Sequence, residues 1–149
     1  MAGYPRPEGH HSLTPASIVP NASKVIAFLE EAFGAKVVDR YEGPGGSVAH
    51  AEVLISDSVL MIGDARPGLD AMPISISYYV PGEETVDAVY QRALQAGATS
   101  ISPPQDELYG HRTATVKDQG GNRWSISAVV EQLTSEEMHR RMPDLMNLT

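Results

Sequence analysis

The sequence predicts an α+β fold in which two tandem βαβββ modules form a cupped mixed sheet, followed by a short C-terminal helix. Two amphipathic helical patterns each end in a Gly-Ala pair, at Gly34 and Gly97, which are 63 residues apart. The strand positions Leu60 and Trp124 repeat at nearly the same interval, 64 residues. An interval that drifts so little along the chain indicates two copies of one supersecondary unit.

These patterns divide the 149 residues into three parts. Residues 1–12 are rich in proline and glycine, and we predict a loose N-terminal arm there. Residues 13–130 form the domain, with its modules at 13–65 and 73–130. Residues 131–149 form the C-terminal helix and tail.

In the first module, Val25, Ile26 and Leu29 recur at helical spacing, and Gly34 is a typical residue for the position after a helix. Alternating apolar residues predict the strands around that helix. The predicted order is a strand at 13–19, a helix from a cap at Asn21 or Ser23 to Gly34, a strand at 36–41, and a hairpin of strands 50–55 and 58–64.

The second module repeats this order, with Pro103-Pro104 interpreted as a break after its second strand. Thr134 followed three residues later by Glu137 is a capping box that opens the last helix. The predicted order is a strand at 74–80, a helix at 85–96, a strand at 98–102, a hairpin of strands 112–117 and 123–129, and a helix that runs to Arg141 and is ended by Pro143.

Composition excludes several classes of function. Eleven basic against 19 acidic residues give a net charge of −8, so the chain lacks the positive charge that nucleic-acid binding needs. The absence of cysteine excludes disulfides and thiolate chemistry. No apolar run approaches the ~20 residues of a membrane span, and the first residues show no apolar segment of the signal-peptide type. We therefore expect a cytoplasmic protein with no nucleic-acid or membrane partner.

Strand alternation places His50 and Glu52 on the concave face of the sheet, away from the helices. We call this the cup face. Three interpretations remain open for the pair: a hydrogen-bonded pair on a strand, a carboxylate that orients an imidazole for base chemistry, or a metal site completed by His111.

The segment Tyr109-Gly110-His111-Arg112 precedes a strand and is expected at the rim of the cup. Its ring systems and guanidinium could clamp an anionic or planar ligand. The alternative is a turn with Gly110 at positive φ and exposed polar side chains. Tyr79 aligns with Ile18 in the repeat and should line the cup. His10-His11 on the arm could reach the mouth of the cup, but we expect it to be solvated.

Several short segments carry a resemblance to a known family. The paired modules with their Gly-Ala helix exits resemble the vicinal oxygen chelate superfamily of glyoxalases, bleomycin-resistance proteins and extradiol dioxygenases. The resemblance spans residues 12–142 and is strongest to the PhnB-like branch. The segments that resemble this branch include Leu13-Thr14-Pro15, His50-Ala51-Glu52, Tyr109-Gly110-His111-Arg112 and Trp124-Ser125-Ile126.

The resemblance implies where metal ligands would stand, because the metal enzymes of the family carry one on the first and one on the last strand of each module. The matching positions here are Thr14, Met61, Ser75 and Ser125. Neutral hydroxyls and a thioether are poor ligands for Zn²⁺, Ni²⁺, Mn²⁺ or Fe²⁺. We therefore expect neither a metal nor another cofactor.

The favoured function is that of a binding protein, without the family's metal ligands, that holds a small planar or amphipathic molecule in its cup and works as a homodimer. The alternative is a metal-independent or off-pattern metal lyase or isomerase that uses His50 and Glu52, with Arg112 or Lys117 holding an anion. A third hypothesis is a protein that acts through assembly. The candidate ligand-binding residues are Thr14, Met61, Ser75, Tyr79, Tyr109, His111, Arg112 and Ser125.

Overall fold

The computed structural model describes residues 5–147 and contains two four-stranded sheets. Residues 1–4 of the predicted arm and 148–149 of the predicted tail lie outside the described residues. The first module comprises β1 (Ala16–Val19), α1 (Ala22–Phe33), β2 (Lys36–Glu42), β3 (Val48–Ile55) and β4 (Ser58–Asp64). The second comprises β5 (Ser75–Tyr79), α2 (Val86–Gln95), β6 (Thr99–Asp106), β7 (His111–Lys117) and β8 (Arg123–Val129), and α3 (Ser135–Met146) follows.

The two sheets have the same topology. Their strand orders are β1-β4-β3-β2 and β5-β8-β7-β6. The first strand of each module pairs in parallel with the last, and the other pairs are antiparallel. This confirms the tandem βαβββ architecture and the α+β class.

The first helix illustrates how the sequence sets the ends of an element. Gly34 has φ 65° and ends α1 in the left-handed conformation, as predicted. Asn21 precedes the helix but makes no capping bond with its side chain. Instead, Oδ1 of Asp64 accepts from the amide of Ala22 at 2.8 Å. A carboxylate from the last strand of the module therefore satisfies the positive end of the helix.

Both modules share one hydrophobic core on the helix side of the sheets. The ring of Phe33 at the end of α1 lies 4.6 Å from that of Tyr78 and 5.0 Å from that of Trp124, measured between centroids. Because Tyr78 and Trp124 belong to the second module, this aromatic cluster joins the two halves. Ala51 and Val53 are fully buried in the same core, which confirms the predicted assignment of strand faces.

A hairpin turn at residues 118–122 supplies polar contacts between the two modules. Oδ1 of Asn122 accepts from Oγ of Ser17 at 2.6 Å and from the amide of Ile74 at 3.0 Å. The amide of Asn21 donates through Nδ2 to the carbonyl of Gln119 at 2.9 Å. The turn thus fastens the first strand and helix of one module to the other module.

Three predicted element ends are wrong by three residues or more. β1 begins at Ala16 and not at residue 13, directly after Pro15, which has no amide hydrogen to donate to a neighbouring strand. β6 does not stop at Ser102 but continues through Pro103-Pro104 to Asp106. It is an edge strand with irregular register, and an edge strand can accommodate the missing amide donors. Likewise α3 continues past Pro143 to Met146. No residue of α3 is buried, so water can solvate the carbonyl that proline leaves without a donor.

Within residues 5–147, no helix has the length and apolar character that crossing a membrane requires.

Candidate functional site

A cleft of about 480 Å³ opens between the two modules. One wall is the segment that leads into β1, a second is the β3–β4 hairpin, and the third is β5. Its lining combines an apolar majority with a few hydroxyls and one carboxylate. The lining residues are His11, Leu13, Thr14, Pro15, Ile55, Ser56, Asp57, Ser58, Val59, Leu60, Ile76, Ser77, Tyr78, Tyr79, Pro81 and Trp124.

The hairpin wall is shaped by a two-residue turn. Ser56 has φ 54°, a left-handed conformation that residues other than glycine adopt rarely. Tight turns of this kind match the twist of the flanking strands. The turn brings the hydroxyl of Ser56 and the carboxylate of Asp57 to the edge of the cleft.

The structure brings only some of the predicted binding residues into this cleft. Thr14 and Tyr79 line it. Met61, Ser75 and Ser125 do not: Met61 pairs with Ala16 and Glu52 across the first sheet, whereas Ser75 and Ser125 lie on neighbouring strands of the second. Of the four positions matched to metal ligands, only Thr14 lines this cleft.

An aromatic row extends from the cleft along the second sheet. The ring of His111 makes edge contacts with Tyr79 at 5.7 Å and with Tyr109 at 5.0 Å, measured between centroids. Tyr79 is 55% exposed. These three predicted residues are thus neighbours, and Tyr79 joins them to the cleft. Gly110 between them has φ 85°, as the turn interpretation of this segment required.

Arg112 does not belong to this group. Its Nε and Nη2 donate to the two carboxylate oxygens of Asp87 at 2.7 and 2.9 Å, and its Nη1 donates to Asp106 at 3.0 Å. These bonds raise the pKa of Arg112 and lower the pKa of Asp87. The guanidinium therefore links the start of α2 to the β6–β7 hairpin. The prediction that Arg112 contributes to an anion clamp is wrong, because all of these donors are engaged by Asp87 and Asp106. Arg112 and His111 are neighbours on β7, and neighbouring residues of a strand point to opposite faces of the sheet.

Glu52 lies on the cup face of β3 with a histidine on either side. Its Oε1 is 3.8 Å from Nε2 of His50, beyond hydrogen-bond distance, and 2.9 Å from Nε2 of His10. The imidazole partner of Glu52 is thus His10, from the arm. The side chain of His10 is 8% exposed, so the prediction of a fully solvated arm is wrong at this residue.

The ring of His50 stacks instead on Tyr41 of β2, with centroids 6.4 Å apart. The hydroxyl of Tyr41 donates to Oδ2 of Asp39 at 2.6 Å. That hydrogen bond is the main cause of the raised pKa of Tyr41. His50 therefore stacks on the phenol ring and makes no hydrogen bond with the carboxylate with which it was predicted to act.

The residues present do not fit the metal that the fold family implies. Thr14, Met61, Ser75 and Ser125 offer hydroxyls and a thioether, which transition metals bind poorly in proteins. In the part of the chain that the structure describes, no three His, Asp or Glu side chains are arranged to hold a metal ion. His111 lies on the second sheet beside Tyr79, and His50 lies on the first.

Sequence reasoning missed two features of the site. His10 was identified as a residue of the arm, but its bond to Glu52 spans 42 positions, and no local pattern encodes such a contact. Trp124 is buried in the core, yet it also lines the cleft. Alternation assigns a residue to a face, but it does not reveal where two sheets part.

Comparison with known proteins gives one family. The family model described as the Glyoxalase/Bleomycin resistance protein/Dioxygenase superfamily matches residues 10–126. An uncharacterized protein from Mycobacterium bovis is 32% identical over 142 residues, which cover 88% of this chain and 91% of the relative.

Solved structures share the fold. TioX from Micromonospora sp. ML1 has a TM-score of 0.63 at 20% identity, covering 79% of this chain and 99% of that one. The fosfomycin resistance protein FosX from Mesorhizobium loti has a TM-score of 0.59 at 17% identity, covering 85% of this chain and 95% of that one. At these sequence identities the similarity shows a shared fold and nothing more.

Proposed function

The chain belongs to the glyoxalase/bleomycin resistance protein/dioxygenase superfamily, and from that premise we propose that it binds a small planar or amphipathic molecule between its two modules. The observation that carries the proposal is the cleft of about 480 Å³. Its volume lies in the range of about 300–1,000 Å³ that is typical of small-molecule sites, and such sites combine apolar walls with a few polar groups.

The chemistry of the walls supports a planar ligand. Leu13, Pro15 and the exposed ring of Tyr79 line the same cavity, and a flat molecule can stack on that ring. Asp57 supplies a carboxylate at the edge. Among the described residues, no lysine or arginine lines the cleft, so the ligand we propose is uncharged or cationic.

The homodimer and the cytoplasmic location remain part of this proposal. Val37 and Val38 are exposed on β2, an edge strand of the first sheet. Exposed strand edges are commonly protected by association with another chain.

The test is a fluorescence titration with proflavine, a planar cation, and with acridine, which is uncharged at pH 8. We expect saturable binding of at least one probe. Tyr79→Ala should weaken it about tenfold, because stacking on an aromatic side chain contributes about 1–3 kcal/mol. Tyr41→Ala is the matched control, because Tyr41 is 56% exposed and Tyr79 is 55% exposed. This substitution should leave binding unchanged. Absence of saturable binding of both probes would contradict the proposal.

A second candidate function is a lyase or isomerase in which Glu52 acts as a base. The observation that favours it is the 2.9 Å contact between Glu52 and a histidine, an arrangement that can hold and release a proton. The similarity to FosX suggests one compound to try, fosfomycin, which is an anionic phosphonate. Because no lysine or arginine of the described residues lines the cleft, we expect the phosphorus NMR spectrum of fosfomycin to stay unchanged. Conversion by the parent chain, but not by Glu52→Gln, would favour the enzyme.

A further inference from the structure

His10 joins the N-terminal arm to the cup face of the first sheet. Its side chain is 8% exposed, whereas its neighbours Gly9 and His11 are exposed. The main chain turns at this point, with the amide of His10 donating to the carbonyl of Pro7 at 3.2 Å. A single buried imidazole thus holds an otherwise exposed segment against the sheet.

The two hydrogen bonds of this imidazole determine its protonation. Nδ1 lies 3.2 Å from the carbonyl oxygen of Glu8, and Nε2 lies 2.9 Å from Oε1 of Glu52. A carbonyl oxygen only accepts, and an ionised carboxylate also only accepts. Both ring nitrogens must then carry hydrogen, so the complete arrangement holds one proton more than a neutral histidine beside an ionised glutamate. Loss of that proton removes one of the two bonds and the charge attraction.

The other groups around this proton are few. On β3, His50 stands 3.8 Å from the same oxygen of Glu52. On β2, Asp39 pairs with Glu52 and Tyr41 pairs with His50, and the raised pKa of Tyr41 keeps its hydroxyl protonated. On β4, Glu52 faces Met61, which does not titrate.

The arm continues directly into the wall of the cleft. His11, Leu13, Thr14 and Pro15 line the cavity, and they follow His10 without a break. The next fixed point is the carbonyl of Pro15, which accepts from the amide of Met61 at 3.0 Å. The wall is therefore held at its two ends, by His10 and by Pro15.

We propose that the contact between His10 and Glu52 is a proton-dependent clasp that closes one wall of the cleft. The existence of the clasp does not depend on the proposed function. Its consequence, the control of ligand exchange, rests on that function. The clasp is complete when the shared proton is present, because only then can both ring nitrogens donate. It loosens as the pH rises, because each unit of pH changes the ratio of the two protonation states tenfold.

The first experiment needs no ligand. Hydrogen-exchange protection of the His10 amide, which donates to the carbonyl of Pro7, is compared at pH 6 and pH 8, and nitrogen NMR of the His10 ring reports its protonation. We expect the ring to be more fully protonated at pH 6 than at pH 8, and the protection factor to be higher at pH 6. His10→Ala should remove the protection at both values. His11→Ala and His50→Ala, the matched controls, should retain the pH dependence.

Equal protection at pH 6 and pH 8, or an unchanged arm in His10→Ala, would overturn the clasp. A second experiment measures proflavine release by stopped flow, and we expect release from the parent chain to be slower at pH 6 than at pH 8, with the difference absent in His10→Ala. If the parent chain binds no proflavine, the binding function fails, while the exchange data still decide whether the clasp exists.

Discussion

Two buried tyrosines differ in one hydrogen bond. Tyr78 and Tyr90 are each 7% exposed. The hydroxyl of Tyr90 donates to Oγ of Ser100 at 2.7 Å, whereas that of Tyr78 makes no hydrogen bond with any described residue. A buried polar group without a partner costs about 1–3 kcal/mol. We expect Tyr78→Phe to raise the free energy of unfolding by about 1 kcal/mol and Tyr90→Phe to lower it by about as much, measured by urea denaturation. Equal effects of the two substitutions would contradict this explanation.

Tyr78 also makes the free energy of unfolding depend on pH. Burial is the main cause of the raised pKa of Tyr78, and the nearby carboxylate of Glu84 adds to it. Between the ordinary pKa of tyrosine, about 10, and the raised value, the unfolded chain releases a proton that the folded chain retains, so stability falls as pH rises. We expect the free energy of unfolding to decline above about pH 10 more steeply in the parent chain than in Tyr78→Phe. Parallel declines in alkaline urea titrations would show that Tyr78 does not contribute.

At the scale of elements, the turn at residues 118–122 depends on one carboxylate. Asp118 is 5% exposed. It accepts four hydrogen bonds of 2.9–3.0 Å, from the amides of Gly120 and Asn122, from Nδ2 of Asn122 and from Nε1 of Trp124. Asp118→Asn places an NH₂ group, itself a donor, against these N–H groups and should lower the free energy of unfolding by about 3 kcal/mol. Asp70→Asn, at an exposed position, should stay within about 0.5 kcal/mol. A small loss for Asp118→Asn in urea denaturation would contradict the assigned role.

The C-terminal helix is attached through few contacts. Arg141 donates to both carboxylate oxygens of Glu131, at 3.0 and 2.8 Å, and to the carbonyl of Leu108 at 3.0 Å. Because no residue of α3 is buried, Arg141→Gln should release α3 locally and leave the core intact. We expect faster amide exchange in residues 136–146 and an unchanged urea midpoint. A lowered midpoint would show that α3 contributes to the global fold.

Elements with a strong local signal could be predicted, and those set by their neighbours could not. The helix end at Gly34 followed from the backbone freedom of glycine, and the structure places that residue at φ 65°. The strand through Pro103-Pro104 could not be predicted, because proline is tolerated there only on account of the edge position of β6. In the site, Tyr79 was predicted from its alignment with Ile18 in the repeat, whereas the contact of His10 with Glu52 depends on the path of the whole arm.

At the scale of the whole molecule, the repeat predicted two modules but not how they are joined. The junction consists of the aromatic cluster around Phe33 and of the turn at residues 118–122. Neither part has a counterpart in the periodic pattern, since each involves side chains from both modules. The cleft lies where this junction ends and the sheets part, so its position also depends on tertiary packing.

A shared core implies that the modules unfold together. Phe33 belongs to the first module and contacts Tyr78 and Trp124 of the second. Removal of a buried phenylalanine ring typically costs about 3–5 kcal/mol. We therefore expect Phe33→Ala to shift, by the same amount, the urea transitions observed through Trp124 fluorescence and through the methyl NMR signals of Val25 and Leu29. The single tryptophan makes the first probe specific to the second module. If Phe33→Ala lowered the methyl transition alone, the two modules would be independent folding units, and the cleft between them would not require an intact junction.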